Sequence, residues 1–120
     1  MTSTAPPSGR LLTELSNALV ALHKEQFGRG PTRARAHFAG PDTLVCVLDD
    51  ALLPAERALV DIDEQQRVRE SRLFMQVATR ARFIEVIERI VGRKVYSFVS
   101  ASDPDRGLVV ETCIFESDET

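Results

Sequence analysis

Gly28-Arg29-Gly30-Pro31 is the stretch that decides the fold of this 120-residue chain. The residues before it, Gly9–Phe27, carry apolar side chains three and four positions apart, which is the period of an amphipathic helix. Gly28 can end that helix because glycine reaches the left-handed backbone conformation without a Cβ clash, and Pro31 forbids helical continuation. The stretch therefore predicts a helix that stops and gives way to extended chain.

The residues after this stop predict a β-hairpin. Basic and apolar side chains alternate over residues 32–38, turn-forming residues follow at 39–42, and residues 44–48 are apolar throughout. A strand that is apolar on both faces is typical of a central strand covered on both sides. We therefore expect the second strand of this hairpin to lie inside the sheet.

Gly92-Arg93-Lys94 is a weaker copy of the same signal. It ends a predicted helix over residues 64–91, which is roughly 42 Å long at 1.5 Å per residue. Strand-like segments follow at 95–99 and 108–115, with a turn sequence between them at 103–107. The sequence thus predicts an α+β fold: two helix–β-hairpin units forming a four-stranded, mostly antiparallel sheet with a long helix packed on one face.

The middle of the chain predicts a short helix and an association surface. Pro54 suits the first turn of a helix over residues 54–60, and a break is expected at 61–63. Residues 64–72 are almost wholly polar, and we expect them to project from the domain. The rest of the long helix carries two apolar stripes, of which one can cover the sheet. The other stripe needs a partner, and from it we infer a homodimer.

Composition restricts the class of protein. A hydrophobic content of 43% and a charged content of 28% are ordinary for a globular chain, and the net charge of −3 argues against nucleic-acid binding. No apolar run reaches the roughly 18 residues of a membrane span, so we expect no direct membrane insertion. No export signal is recognisable, which predicts a cytoplasmic protein. We expect a disordered tail at residues 1–8, a single domain at 9–116 and an acidic tail at 117–120.

The candidate binding residues are basic. Arg33, Arg35 and His37 share one face of the first predicted strand, and Arg29 lies close before them. This set could bind a small anion such as phosphate or bicarbonate. The alternative is an exposed strand face paired with acidic residues, with Arg29 placed favourably at the negative end of the first helix.

No pattern of catalytic or metal-binding residues can be assembled. His23, His37, Cys46 and Cys113 have no spacing typical of metal ligands. Two histidines without a motif give no Ser-His-Asp or Cys-His arrangement. We therefore predict no catalytic residue, no metal, no cofactor and no enzyme activity, and we expect both cysteines to be buried free thiols.

The combination of motifs resembles a family of small bacterial proteins, MpsC, named after a Na+-translocating system that generates membrane potential. The similarity covers about residues 11–115. Position 53 is often threonine in that family, where it would cap the helix at Pro54, and Leu53 departs from this pattern. The residues that carry the resemblance are Gly28-Arg29-Gly30-Pro31, Leu52-Leu53-Pro54-Ala55-Glu56, Gly92-Arg93-Lys94-Val95 and the Asp-Pro turn before the last strand.

The resemblance implies a cytoplasmic protein linked to a membrane transport system for cations or inorganic carbon. On this basis we expect a non-enzymatic accessory or regulatory protein that acts through protein–protein contacts, with membrane transporter subunits as partners. The alternative is a sensor domain that binds a small anion at the basic strand surface formed by Arg29, Arg33, Arg35 and His37.

Overall fold

Both predicted helix–hairpin units are present in the computed structural model, which describes residues 9–117. The tails predicted at 1–8 and 117–120 lie outside this range except for Ser117. A 3-10 turn at Pro104–Arg106 joins the last two strands. In chain order the other elements are α1 (Gly9–Phe27), β1 (Arg33–Phe38), β2 (Thr43–Asp49), α2 (Pro54–Asp61), α3 (Gln65–Val91), β3 (Val95–Asp103) and β4 (Leu108–Phe115).

The four strands form one sheet in the order β1-β2-β4-β3, and every neighbouring pair is antiparallel. Within each hairpin the two strands pair with each other, β1 with β2 and β3 with β4. The two hairpins join through β2 and β4, where Cys46 lies opposite Glu111. The ladder between β3 and β4 is interrupted by a bulge between Val95 and Ser97. The predicted α+β class and the pairing of strands within hairpins are confirmed.

Helices α1 and α3 cover the same face of the sheet, where the core lies. The prediction that β2 is covered on both sides is wrong for the described chain: Leu44, Cys46 and Leu48 are buried, whereas Val45 and Val47 on the opposite face stay half-buried. The core draws on α1 with Leu15, Leu19 and Leu22, on α3 with Phe83, Val86 and Ile87, and on the inner face of the sheet with Leu44, Leu48, Phe98, Val109 and Phe115.

The break before the long helix is present, but the helix does not project at its start. The chain turns between α2 and α3, with Asp63 in the left-handed conformation at φ 62°. The expectation that residues 64–72 project is wrong, because Val68 is fully buried and the Arg72 side chain is 9% exposed. These residues pack against α2 and the 3-10 turn. This polar segment is thus held against the rest of the fold by the partners of Arg72.

Glycines set both helix-to-strand junctions. Gly28 and Gly92 end α1 and α3 at φ 82° and 77°, as the sequence predicts. Gly30 runs so close to α1 that a Cβ atom there would lie 2.9 Å from the carbonyl oxygen of Val20. The first junction therefore needs glycine at two positions for two reasons, backbone conformation at one and space at the other.

The arginine that follows each junction glycine clamps one end of β2. The Arg29 guanidinium donates to the backbone carbonyl of Asp50, just after β2, at 2.7 Å. The Arg93 guanidinium donates to the carboxylate of Asp42, just before β2, at 2.6 Å and lies 5.1 Å from the centre of the Phe115 ring. The repeated Gly-Arg pair thus ties each helix end to the same central strand.

Candidate functional site

The predicted basic residues of β1 lie on the outer face of the sheet, away from the helices. Because directly paired residues of a sheet point to the same side, the register places Arg33, Arg35 and His37 beside an apolar band. Two rows cross this face, with Arg35, Val47, Val110 and Ala101 in one and His37, Val45, Thr112 and Val99 in the other. We call these two rows, together with the flanking pair Arg33 and Asp49 and the flanking row Thr43, Ile114 and Ser97, the outer face. It combines a basic edge with an apolar centre.

Arg29 is not brought into this basic group as a free cation. Its guanidinium binds the Asp50 carboxylate at 2.6 Å and the Leu52 carbonyl at 2.9 Å, in addition to the Asp50 carbonyl. Arg57 binds the other carboxylate oxygen of Asp50. Arg29 therefore donates to three acceptors and shares the carboxylate of Asp50 with Arg57. These contacts explain Arg29 as a residue that stabilises the fold.

The basic residues of β1 differ in the hydrogen bonds and ion pairs that their side chains form. Arg35 forms an ion pair with Asp49, 3.2 Å between Nη2 and Oδ2, and its Nε is buried without a partner in the described chain. The side chains of Arg33 and His37 make no hydrogen bond or ion pair with any residue of 9–117. Anion binding at this strand stays a prediction, now centred on Arg33, Arg35 and His37.

A second site lies on the opposite, inner side of the sheet. It is a cavity of about 210 Å³ between α1, α3 and the β3–β4 hairpin. Its walls are mainly aromatic and aliphatic, with a limited set of polar groups among them. The apolar walls include Phe27, Leu73, Phe83, Phe98 and Val109, and the polar groups include His23, Arg69, Arg72, Gln76, Ser100 and Glu111.

His23 and Glu111 form a buried pair in this cavity, with 2% and 5% of their surfaces exposed. His23 Nδ1 lies 2.9 Å from the carbonyl oxygen of Leu19, and His23 Nε2 lies 3.5 Å from Glu111 Oε2. A carbonyl oxygen only accepts, so we assign the imidazole hydrogen to Nδ1. In the neutral ring Nε2 is then an acceptor, and the Glu111 carboxyl holds its proton on the side of the histidine.

Burial sets the charge of this pair. Loss of solvation raises the pKa of Glu111 to about 8, and Arg72 opposes this only in part. Loss of solvation also lowers the pKa of His23 to about 4, against the hydrogen bond to Leu19. Opposite charges at this distance would attract, but the cost of removing two ions from water is larger when few hydrogen bonds compensate. The pair is therefore neutral near pH 7.

One oxygen of Glu111 is left without a partner. Oε1 is buried and accepts no hydrogen bond from any described residue. The rings of Phe27 and Phe83 lie 5.6 and 5.1 Å from the His23 ring, centre to centre, so aromatic groups surround the polar pair. The wall of the cavity thus includes one unsatisfied acceptor among mainly apolar side chains, which is the usual composition of a small-molecule site.

The sequence carried a signal for this pair that our prediction did not use. Glu111 interrupts the apolar inner face of β4, between Val109 and Cys113. His23 follows Leu19 by one helical turn on the buried stripe of α1. A single polar residue inside each apolar stripe marks a buried polar group that needs a partner. Only the three-dimensional structure shows that His23 and Glu111 are partners of each other.

A sequence model of the family described as "Na+-translocating membrane potential-generating system (MpsC)" matches residues 8–117. The chain belongs to the MpsC family. The resemblance drawn from the motifs is therefore confirmed over nearly the whole chain. Comparison with curated proteins and with solved structures gave no match.

In this MpsC protein the side chain at position 53 forms no cap, and Glu56 contributes the other hydrogen bond of a capping box. Its carboxylate accepts the Leu53 backbone N–H at 2.7 Å, which satisfies a donor at the start of α2. None of the helices within 9–117 is long and apolar enough to cross a membrane. Over the same residues, no group of three or more His, Cys, Asp or Glu side chains is placed to hold a metal ion.

Proposed function

We propose that this MpsC protein is a non-enzymatic accessory or regulatory component of a Na+-translocating, membrane-potential-generating system. In this proposal it is a cytoplasmic protein that binds the membrane subunits of the system through protein–protein contacts. The family description supports the association with such a system. The proposal that contact, and not catalysis, is its mode of action rests on the outer face of the sheet.

The outer face carries the proposal because it is apolar where an antiparallel sheet facing water is usually polar. Val99 and Ile114 are 55% and 40% exposed, and no described helix lies over them. Arg33, Arg35 and His37 form its edge. This combination fits a partner that presents apolar side chains beside carboxylates, because charge selects the partner and apolar burial holds it.

A loss-of-contact variant tests this role. In the native host, deletion of the gene is expected to lower the Na+-dependent membrane potential, and the wild-type chain to restore it. Replacing Val99 and Ile114 together with serine should leave at least a several-fold deficit, because interface energy is concentrated in a few apolar anchors. The potential is measured with a voltage-sensitive dye in membrane vesicles.

Ile62→Ser is the matched control, because Ile62 is an exposed apolar residue at the α2–α3 junction, away from the outer face. It should restore the potential fully. Full restoration by the Val99/Ile114 variant would exclude the outer face as the contact surface. An unchanged potential in the deletion strain would overturn the proposed association with the system.

A homodimer is part of the proposal, through the outer side of α3. Phe74 and Val77 are 77% and 79% exposed, whereas Ile84, Ile87 and Val91, which follow on the same predicted stripe, pack into the core of their own chain. Glu70 lies one turn before Phe74, and Arg80 lies one turn after Val77. Two copies of α3 packed antiparallel about a two-fold axis would place Phe74 on Val77 and Glu70 on Arg80. The surface is self-complementary.

Charge reversal tests the dimer. The wild-type chain is expected to sediment at twice its mass at tens of micromolar concentration. Glu70→Arg should weaken the dimer about tenfold or more, since it sets like charges against each other. The double variant Glu70→Arg/Arg80→Glu should restore it. A monomeric wild type, or a double variant no better than Glu70→Arg, would contradict this arrangement.

A small-anion sensor is the second candidate function. One observation favours it: the buried Nε of Arg35 has no partner within residues 9–117, and Arg33 beside it has no counter-charge there. Titration of phosphate and bicarbonate against the wild type and against Arg33→Ala/Arg35→Ala separates this function from a contact role. A heat of binding confined to the wild type favours the sensor.

A further inference from the structure

The inner cavity has the features of a ligand site that is independent of the proposed contact function. It holds a buried carboxyl group whose Oε1 has no hydrogen-bond partner in the described chain. A buried acceptor left unsatisfied costs about 1–3 kcal/mol, and a bound donor removes that cost. Any occupant of this cavity therefore gains by presenting an N–H or O–H group to Glu111.

Two arginine side chains also line the cavity. One of them, Arg72, already donates hydrogen bonds to both carboxylate oxygens of Glu56. Arg69 is free by comparison, because its only hydrogen bond in the described chain is a long one, 3.5 Å, to Gln66 Oε1. Two arginines beside a neutral His23–Glu111 pair disfavour a cation and favour an anionic group such as a carboxylate.

The walls and the volume restrict the body of the ligand. Phe27, Phe83 and Phe98 supply aromatic surface on which a flat ring can pack. A dry cavity of about 150 Å³ is enough to hold benzene. The volume of about 210 Å³ here therefore accommodates a benzene ring with a small substituent at each end.

We propose that the cavity of this MpsC protein binds a small aromatic acid, with a hydrogen-bond donor directed to Glu111 Oε1 and its carboxylate directed to Arg69. The donor and the carboxylate lie at opposite ends of the ring. Glu111 and His23 recognise the donor, and the phenylalanine side chains exclude water. The ligand would bridge α1, α3 and the β3–β4 hairpin, so its binding would stabilise the packing of these elements.

Para-hydroxyphenylacetate is the probe, measured by calorimetry or ligand-observed NMR with the full chain at mildly acidic pH. It should bind saturably at millimolar concentration or below. Phenylacetate, which lacks the hydroxyl donor, should bind about tenfold more weakly, as expected for one buried hydrogen bond. Para-cresol, which lacks the carboxylate, should also bind more weakly, and tyramine, with an ammonium in its place, should not bind.

Two variants assign the ends of the ligand. Arg69→Gln should weaken binding of para-hydroxyphenylacetate about tenfold and leave para-cresol unchanged. Glu111→Leu should remove the preference for para-hydroxyphenylacetate over phenylacetate. The proposal is overturned if the wild type binds none of the probes, if tyramine binds as well as the acid, or if Glu111→Leu keeps the preference. The comparison of probes on the wild type needs no variant to fold.

Discussion

Replacement of Arg72 with methionine is expected to lower the free energy of unfolding by about 3–5 kcal/mol, the range for breaking a buried ion pair. The Arg72 and Glu56 side chains are 9% and 13% exposed, and the guanidinium binds both carboxylate oxygens, at 2.8 and 2.6 Å. It also donates to the Ala51 carbonyl at 2.9 Å and lies 4.5 Å from the centre of the Phe27 ring. Without it, the Glu56 side chain would lose two charge-assisted hydrogen bonds in a site with little water.

Urea denaturation followed by circular dichroism measures this loss, with an unchanged slope showing that the unfolded state is the same. Arg82→Met is the matched control on the same helix, because Arg82 pairs with Glu85 and Glu25 at the surface and should cost less than about 1 kcal/mol. Adding Glu56→Gln to Arg72→Met should recover part of the stability. An Arg72→Met chain as stable as the Arg82→Met chain would refute this account.

Raising the pH from 6.5 to 8 is expected to reduce the free energy of unfolding by about 1 kcal/mol, at about 1.36 kcal/mol per pH unit for each proton by which the two states differ. In this interval Glu111 of the unfolded chain has already lost its proton and His23 of the unfolded chain loses its own, since their ordinary pKa values are 4.5 and 6.5. The folded chain still holds one proton, because burial raises the pKa of Glu111 to about 8. The folded state binds more protons, so stability falls as pH rises.

At lower pH the two groups oppose each other. Between pH 4.5 and 6.5 the unfolded chain carries one proton on His23 and the folded chain carries one on Glu111, so stability is level. Below pH 4.5 the unfolded chain binds its second proton, at Glu111. The folded chain binds its second proton only at lower pH, because burial lowers the pKa of His23 to about 4. Stability therefore declines again on strong acidification. The maximum should lie between pH 4.5 and 6.5.

The groups that face this pair from other elements do not titrate in the interval that matters. Burial raises the pKa of Cys46 on β2 and of Cys113 on β4, so both thiols stay neutral. Denaturation midpoints measured across the pH range test the profile. Glu111→Gln should abolish the decline between pH 6.5 and 8, and a decline of equal size in that variant would exclude Glu111 as its source.

The parts of the fold that the sequence predicted are those set by local chemistry. Helix α1 ends at Phe27 because Gly28 and Pro31 act within one turn of it, and the hairpins follow from alternation and turn residues. The MpsC motifs lie at these same junctions. Local signals of this kind need no knowledge of what packs where.

The parts that were missed depend on partners distant in sequence. Residues 64–72 read as a solvated segment, yet Arg72 is held by Glu56 and by the ring of Phe27. Similarly, Glu111 and His23 are polar residues in apolar stripes, and their meeting is decided by how α1 lies on β4. Burial of a polar or charged residue depends on its tertiary environment. The polarity pattern of the segment alone therefore predicts exposure to solvent where the structure shows burial.

The order of the strands has a consequence for how the chain avoids aggregation. It leaves β1 and β3 at the edges, and an open edge is a template on which strands of other molecules can add. On β1 the edge carries Arg33 and Arg35, whose like charges oppose the addition of a second β1. On β3 the bulge between Val95 and Ser97 breaks the regular ladder that an added strand would need. Both edges therefore resist fibril-type stacking, one by repulsion and the other by shape.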